Sequence, residues 1–440
     1  MSHLAVTILL PYIFSSHYQI ILSLYRTKTL PMYKAISFFG LFALFSFSAV
    51  ADTPLRPGVW RASIHREDGK AIVFNLDIQQ LKGQTVLYIV NGLERMLVKD
   101  VKAVKDSLFI DMPVFESSFK LKIESKDSLS GTWIKRGALK DNEMPFTASA
   151  KQAYRFLPVN GEARANVSGK WKIDFINSKG TEPAVGTFNQ KGSEVTGSIL
   201  TPTGDYRYLS GTVTGDLLQL STFDGVHAMY FTATVKDNAL LDAKVFSSKA
   251  PVQEWTGIKD ANASLPDEKL TTLKDGEDGT LDFSFQDLDG KQVSIKDKRF
   301  KDKVVIIQLM GSWCPNCMDE TAFMSEYYNK NKQRGVEMIG LAYEYTTDVQ
   351  RSRTSLRKFQ KRFDVKYPLL ITPVTVTDPQ RTEKTLPQIT PIKMFPTTLI
   401  VGRDGKIAEI TTDFFGPGTG DYYTKFVTEF ETKINKLLSK

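Results

Sequence analysis

Only two cysteines occur in the 440 residues, and they stand together as Cys314-Pro315-Asn316-Cys317. The motif follows the apolar run Val304-Val305-Ile306-Ile307-Gln308-Leu309-Met310 and then Gly311-Ser312-Trp313. A bridge within one Cys-x-x-Cys closes too small a loop to constrain much unfolded chain. Such a pair suits making and breaking a disulfide better than stapling a fold. The apolar run reads as a buried strand, and Pro315 suits the first turn of a helix. Cys314 is therefore expected at a helix N-terminus, where unpaired amide N–H groups and the helix dipole stabilise a thiolate. Cys317, one turn inside, is placed to resolve a mixed disulfide. Zinc takes about four ligands. The histidines His3, His17, His65 and His227 all lie far from the motif in sequence. No metal and no cofactor are expected, and the bland alternative is a pair of inert core thiols.

The length suggests two or three domains. The net charge of +8 would favour nucleic acid only if it were clustered with aromatics on one face. The lysines are interleaved with acids instead, as in Lys296-Asp297-Lys298-Arg299-Phe300-Lys301-Asp302, so a solvated surface is expected and nucleic acid is not a partner.

Met32-Tyr33-Lys34 opens a basic and then apolar segment that ends in Ala49-Val50-Ala51, a small-residue cleavage pattern. Residues 32–51 are expected to be a secretory signal peptide, with 1–31 an over-extended start. A membrane hairpin or anchor from 1–31 is the less favoured alternative. The mature chain is expected to be soluble, exported, and periplasmic or in the cell envelope.

From 52 to about 247 short alternating runs recur between turn signals, among them Ala71–Leu76, Val86–Val90, Ser107–Ile110 and Phe119–Ile123. The region also repeats itself. Gly58-Val59-Trp60-Arg61 matches Gly169-Lys170-Trp171-Lys172, and Lys126-Asp127-Ser128 matches Lys236-Asp237-Asn238. Leu108 and Ile110 align with Leu218 and Leu220 at nearly the same offset. Two duplicated antiparallel β modules are expected, at 52–155 and 160–247, followed by a linker at 248–274. The pattern then changes to alternating strand and helix over 275–440. Asp289-Gly290 and Arg403-Asp404-Gly405 mark hairpins, and Gly335 stops the first helix. Glu320, Phe323, Met324, Tyr327 and Tyr328 form its stripe. A Thr/Pro-rich insertion runs from Thr372 to Pro391. Asp319 is expected at the surface.

The order of these elements, with Trp-Cys-x-x-Cys opening a helix and Phe395-Pro396-Thr397-Thr398 before the closing hairpin, resembles the thioredoxin superfamily. More narrowly, 275–440 resembles the exported TlpA-type thiol-disulfide oxidoreductases, close to the AhpC/TSA branch. Asp287–Lys291, Lys303-Val304-Val305 and Asp404-Gly405-Lys406 carry the likeness together with the cysteine motif. The implied fold class is multidomain, with N-terminal β modules followed by an α/β thioredoxin-like domain. The resemblance implies Cys314 as nucleophile, Cys317 as resolving thiol and Trp313 as the flanking aromatic. It implies Pro396 as the cis-proline facing the disulfide, with the Phe395 backbone exposed to pair with substrate. It implies Glu320 as a carboxylate near Cys317 that accepts its proton. The competing reading makes Glu320 a favourable acid in the helix's first turns. Gln308 stands where thioredoxin carries a buried aspartate. Implied partners are protein thiol or disulfide substrates and an extracytoplasmic or membrane redox donor. A thiol peroxidase is one alternative, weakened because Gly311 and Ile307 replace the Thr/Ser and Pro of that motif. A binding protein whose β modules carry the main role is the other.

Overall fold

A computed structural model describes residues 55–156, 163–178 and 180–439. The expected signal peptide and start lie outside the described residues. Among those residues no helix is long and apolar enough to cross a membrane.

The alternating sequence up to Lys259 folds as two antiparallel sheets of nine strands each. The first contains β1 (Gly58–His65), β2 (Ala71–Leu81), β3 (Gln84–Asn91), β4 (Glu94–Val98), β5 (Asp100–Val104), β6 (Ser107–Asp111), β7 (Ser117–Ser125), β8 (Ser128–Lys135) and β9 (Asn142–Ser149). Its order is β4-β3-β2-β1-β9-β8-β7-β6-β5, so β4 and β5 are its edges. The second contains β10 (Gly169–Asn177), β11 (Gly180–Lys191), β12 (Glu194–Thr201), β13 (Gly204–Asp205), β14 (Leu209–Thr214), β15 (Leu217–Phe223), β16 (Ala228–Lys236), β17 (Ala239–Ser247) and β18 (Gln253–Lys259). Here β10 pairs with both β11 and β18, and β11 pairs onward with β12, so the sheet closes into a barrel. A closed barrel has no free edge.

The repeated sequence occupies matching places. Trp60 and Trp171 are both fully buried, and each indole N–H donates to the carbonyl four residues earlier, at Arg56 (2.9 Å) and Val167 (2.8 Å). Gly58 and Gly169 before them have φ of 111° and 109°. Leu108 and Ile110 are buried in β6, as Leu218 and Leu220 are in β15.

The linker expected from 248 does not begin there. β18 lies inside that segment and closes the barrel against β10 and β17. Pro251 stands before this strand and interrupts nothing, while Trp255 and Gly257 point inward and Glu254 and Thr256 outward.

The barrel fills its own interior with Trp171, Phe175, Phe188, Leu218, Phe231 and Trp255. The first sheet does not. Its core is completed by Phe223, from the end of β15 in the barrel. Phe223 is fully buried, stacked on Phe74 at 4.2 Å and edge-on to Trp133 at 5.5 Å. Polar bonds seal the same junction. Asn91 Nδ2 donates to the Phe223 carbonyl (2.8 Å), and Ser221 Oγ to that of Val73 (2.5 Å). Arg155 donates to the Ser221 carbonyl (3.1 Å) and hydroxyl (3.2 Å). Burial pulls the Arg155 guanidinium down to about 9.

The C-terminal sheet contains β19 (Ser284–Asp287), β20 (Gln292–Ser294), β21 (Val304–Met310), β22 (Val336–Ala342), β23 (Leu369–Ile371), β24 (Thr397–Val401) and β25 (Ile407–Thr411), in the order β20-β19-β23-β22-β21-β24-β25. β21, β22 and β23 are parallel, with β24 and β25 antiparallel beyond β21. α1 (Pro315–Asn331) connects β21 to β22, and α2 (Val349–Arg362) connects β22 to β23. α3 (Arg381–Thr385) lies in the Thr/Pro-rich insertion, and α4 (Asp421–Leu438) follows the closing hairpin. This is a thioredoxin-like α/β domain. Every residue of β21 is buried, as a strand between helical layers requires, and its one polar residue is Gln308. α1 yields to a 3₁₀ turn at Lys332–Arg334, and Gly335 at φ 94° turns the chain into β22.

Phe223→Ala is expected to cost about 3–5 kcal/mol, because it removes a large side chain from a core that cannot collapse around the loss. Urea unfolding should show both β modules weakened together. An unchanged midpoint, or loss confined to the barrel, would show that the first sheet has a core of its own.

Candidate active site at a helix N-terminus

Cys314 is the N-cap of α1, and Pro315 occupies its first turn. The cysteines form a disulfide with a Cα–Cα distance of 5.2 Å. Cys314 Sγ accepts the Cys317 N–H at 3.1 Å, satisfying one of the amides that a helix start leaves without a partner. Cys314 is 4% exposed and Cys317 is 0% exposed. The Phe395–Pro396 bond is cis, and the Phe395 carbonyl oxygen lies 3.6 Å from Cys314 Sγ. The structure thus brings Cys314, Cys317, Phe395 and Pro396 together. Trp313 is half-buried beside them. Its indole N–H donates to the Tyr343 carbonyl (2.8 Å), and its ring packs on Tyr345 at 5.0 Å and Phe395 at 5.7 Å.

Glu320 lies one turn below Cys317, 1% exposed. It is not a solvated acid of the helix start. Gln308 Nε2 donates to one carboxylate oxygen (2.7 Å) and Thr398 Oγ1 to the other (2.8 Å). The same Gln308 amide reaches the Cys317 carbonyl at 3.4 Å, and Thr321 Oγ1 donates to Gln308 Oε1 at 2.9 Å. Burial pushes the Glu320 carboxyl up to about 7, against the pull of those two hydrogen bonds. Gln308 does not titrate, but it links the Cys317 backbone to a group that does.

Two features of the site are not legible in the sequence. Asp319, expected at the surface, is instead buried. Arg207 grips it with Nε at 2.7 Å and Nη2 at 2.8 Å, and the same Nη2 donates to Glu94 at 2.7 Å. The sequence holds no nearby partner for Asp319, and its side of α1 is covered by the β modules. Burial opposes the charge on Arg207, but Asp319 and Glu94 outweigh it and hold the guanidinium protonated. Glu344, just after β22, is the second. Its carboxylate accepts the Ser312 backbone N–H (2.8 Å) and hydroxyl (2.7 Å), tying down the corner that leads into Cys314. Burial raises it to about 7. A lone glutamate at the end of an apolar strand is the one signal the sequence holds for it.

Residues 277–410 match the AhpC/TSA family. The thiol-disulfide oxidoreductase ResA of Bacillus cereus is 32% identical over 127 residues, which are 29% of this chain and 64% of that protein. ResA of Bacillus subtilis (strain 168) is 26% identical over 141 residues, covering 32% of this chain and 69% of the relative. The chain thus spans less than two thirds of the first of these relatives. Among solved structures, a thiol:disulfide interchange protein of the thioredoxin family from Chlorobium tepidum TLS is 20% identical. It covers 34% of this chain and 94% of its own, with a TM-score of 0.26. The family match lies wholly within the C-terminal domain.

The buried carboxyls make a pH prediction. With Glu320 raised from 4.5 to about 7, the folded state keeps a proton that the unfolded chain has already lost. Its contribution is fully present below 4.5 and is lost as pH rises through about 7, so stability falls across that window. Glu344 acts the same way, and Asp205, raised to about 6 by burial, adds to it. Glu320→Gln should flatten the decline by up to about 3 kcal/mol, each tenfold change in proton affinity being worth ~1.4 kcal/mol. Chemical denaturation at about pH 4 and pH 8 checks this, one on each side of the window. An unaltered pH slope in the variant would mean that Glu320 is ordinary.

Proposed function

We propose that this chain is an extracytoplasmic thiol-disulfide oxidoreductase that exchanges disulfides with protein substrates through Cys314 and Cys317. The observation that carries the reading is the cysteine pair at the start of α1, with the Phe395 carbonyl 3.6 Å from Cys314 Sγ. The ResA relatives share the sequence background of the same domain. On this reading the β modules span 52–155 and from about 160 to the end of β18, and the redox domain follows at 275–440. An exported chain with the signal pattern at 32–51 meets its donor outside the cytoplasm.

In the reducing direction the Cys314 thiolate attacks one sulfur of the substrate disulfide. A Cys314–substrate disulfide forms, and the other substrate sulfur leaves as a thiolate. Cys317 then attacks Cys314 Sγ. The Cys314–Cys317 bond forms, the second substrate thiolate leaves, and two electrons have passed to the substrate. The amide that caps Cys314 favours its thiolate form. Glu320, poised near neutrality, takes the proton of Cys317, with Gln308 fixing the carboxylate. The backbone at Phe395 and Pro396 pairs with an extended substrate segment, and Trp313 walls the other side. The opposite direction uses the same bonds in reverse, and relative reduction potentials decide between them.

Cys317→Ser should accumulate substrates as mixed disulfides on Cys314, because no other thiol in the chain can attack them. Cys314→Ser should trap far less, since Cys317 is fully buried. Non-reducing gels of tagged variants recovered from the native compartment show the adducts. Equal trapping by both variants, or none by either, would remove the nucleophile and resolver roles.

A further inference from the structure

The β modules lie against the redox face. The loop from β12 to β14, which contains β13, packs on the first turn of α1. Asn316, inside the cysteine motif, donates its Nδ2 to the Asp205 carbonyl (3.3 Å) and to Asp205 Oδ2 (3.1 Å). That same Oδ2 accepts the Gly416 N–H at 2.8 Å, and Asp205 Oδ1 accepts the Arg207 N–H at 2.6 Å. Arg207 then forks onto Asp319. Asn316, just before Cys317, and Asp319, two residues after it, are therefore both tied to one loop of the barrel. The fit leaves no slack. A Cβ on Gly204 would fall 2.5 Å from Asn316 Oδ1, and one on Gly418 would fall 2.4 Å from the Arg207 carbonyl oxygen. On the Trp313 side, Phe115, Glu116, Lys135 and Arg136 of the first module face Ser312 and Trp313 across a narrow cleft. Arg351 of α2 clamps Glu116 there, with Nε 3.0 and 3.1 Å from its two oxygens.

We infer that the β12–β14 loop is a substrate filter, occupying the ground beside the Cys-Pro-Asn-Cys motif that a folded protein surface needs, so that exchange is confined to disulfides on small molecules or on protruding, flexible chain segments. The inference rests on the exchange activity proposed above. A rigid partner meets the loop before its sulfur reaches Cys314. A small or extended disulfide needs only the space over Cys314 and the Phe395 backbone. Asp205 and Arg207 act here as specificity-determining residues and touch no reacting atom.

The test uses the full chain, reduced and freed of reductant, with oxidation of its thiols followed against bis(2-hydroxyethyl) disulfide and against folded insulin. The wild type should react readily with the first and poorly with the second. Asp205→Ala removes the carboxylate's bonds to Asn316, Gly416 and the Arg207 N–H, leaves the backbone-carbonyl bond to Asn316, and strands no buried charge. It should raise the insulin rate by about tenfold, through a larger open fraction, and leave the small-disulfide rate within about twofold. Arg207→Met should do the same where it folds, and Asp205→Ala together with the wild-type rate ratio decides the matter if it does not. Equal wild-type rates with both substrates, or variants that slow both in parallel, overturn the filter and make the loop a purely structural contact. No thiol oxidation by either disulfide overturns the exchange reading on which the filter rests.

Discussion

One guanidinium joins the three parts of this molecule. Arg207 comes from the barrel, Glu94 from the first sheet and Asp319 from the redox helix, and the Arg207 side chain is only 6% exposed. Taking such charges out of water is costly, and the pairing offsets part of that cost. Removing Arg207 leaves two carboxylates unpaired in a dry site, while removing either carboxylate leaves Arg207 with one partner. Buried ion clusters of this kind specify arrangement more surely than they add stability. Here the arrangement specified is the placing of a β12–β14 loop on the first turn of α1. The redox motif, the barrel and the open sheet thus share one electrostatic knot, and the geometry around Cys317 is inherited from it.

The sequence is most legible where the signal is local. A largely apolar run predicts β21, Pro315 predicts the helix start, and Asp289-Gly290 predicts the turn between β19 and β20. The match headed by Gly-x-Trp predicts like positions in the two β modules, because a glycine at φ near 110° and an indole bonded four residues back are themselves local devices. What stays hidden is long-range. Helical spacing says which face of α1 a residue occupies, but not what covers that face, so Asp319 reads as surface. Its partner lies 112 residues away. β18 reads as linker because Pro251 and Pro266 bracket it like breakers, and only the need to close a barrel shows why the chain returns for one more strand.

The site also shows how a carboxylate can sit close to a cysteine pair without spoiling it. Glu320 and Glu344 flank the motif from below and behind, each held at about 7 by burial. A carboxyl that keeps its proton this far up the pH scale adds less negative charge beside a thiolate than one ionised at its ordinary value. A helix amide bonds Cys314 Sγ directly, while Glu320 is tied to the site through Gln308 and Glu344 through Ser312. Gln308 fits the same logic: a neutral amide orients Glu320 where a second acid would have competed with it for the proton.

Phe223 has a consequence for how the chain comes into being. A polypeptide emerges from its N-terminus, and leading domains ordinarily fold first, as separate units. The first sheet cannot do so, because the ring that fills its centre belongs to the end of β15. Until that strand has been delivered, Phe74, Phe119 and Trp133 lack the ring they pack against. The first sheet therefore gains the last ring of its core only when its successor has been made.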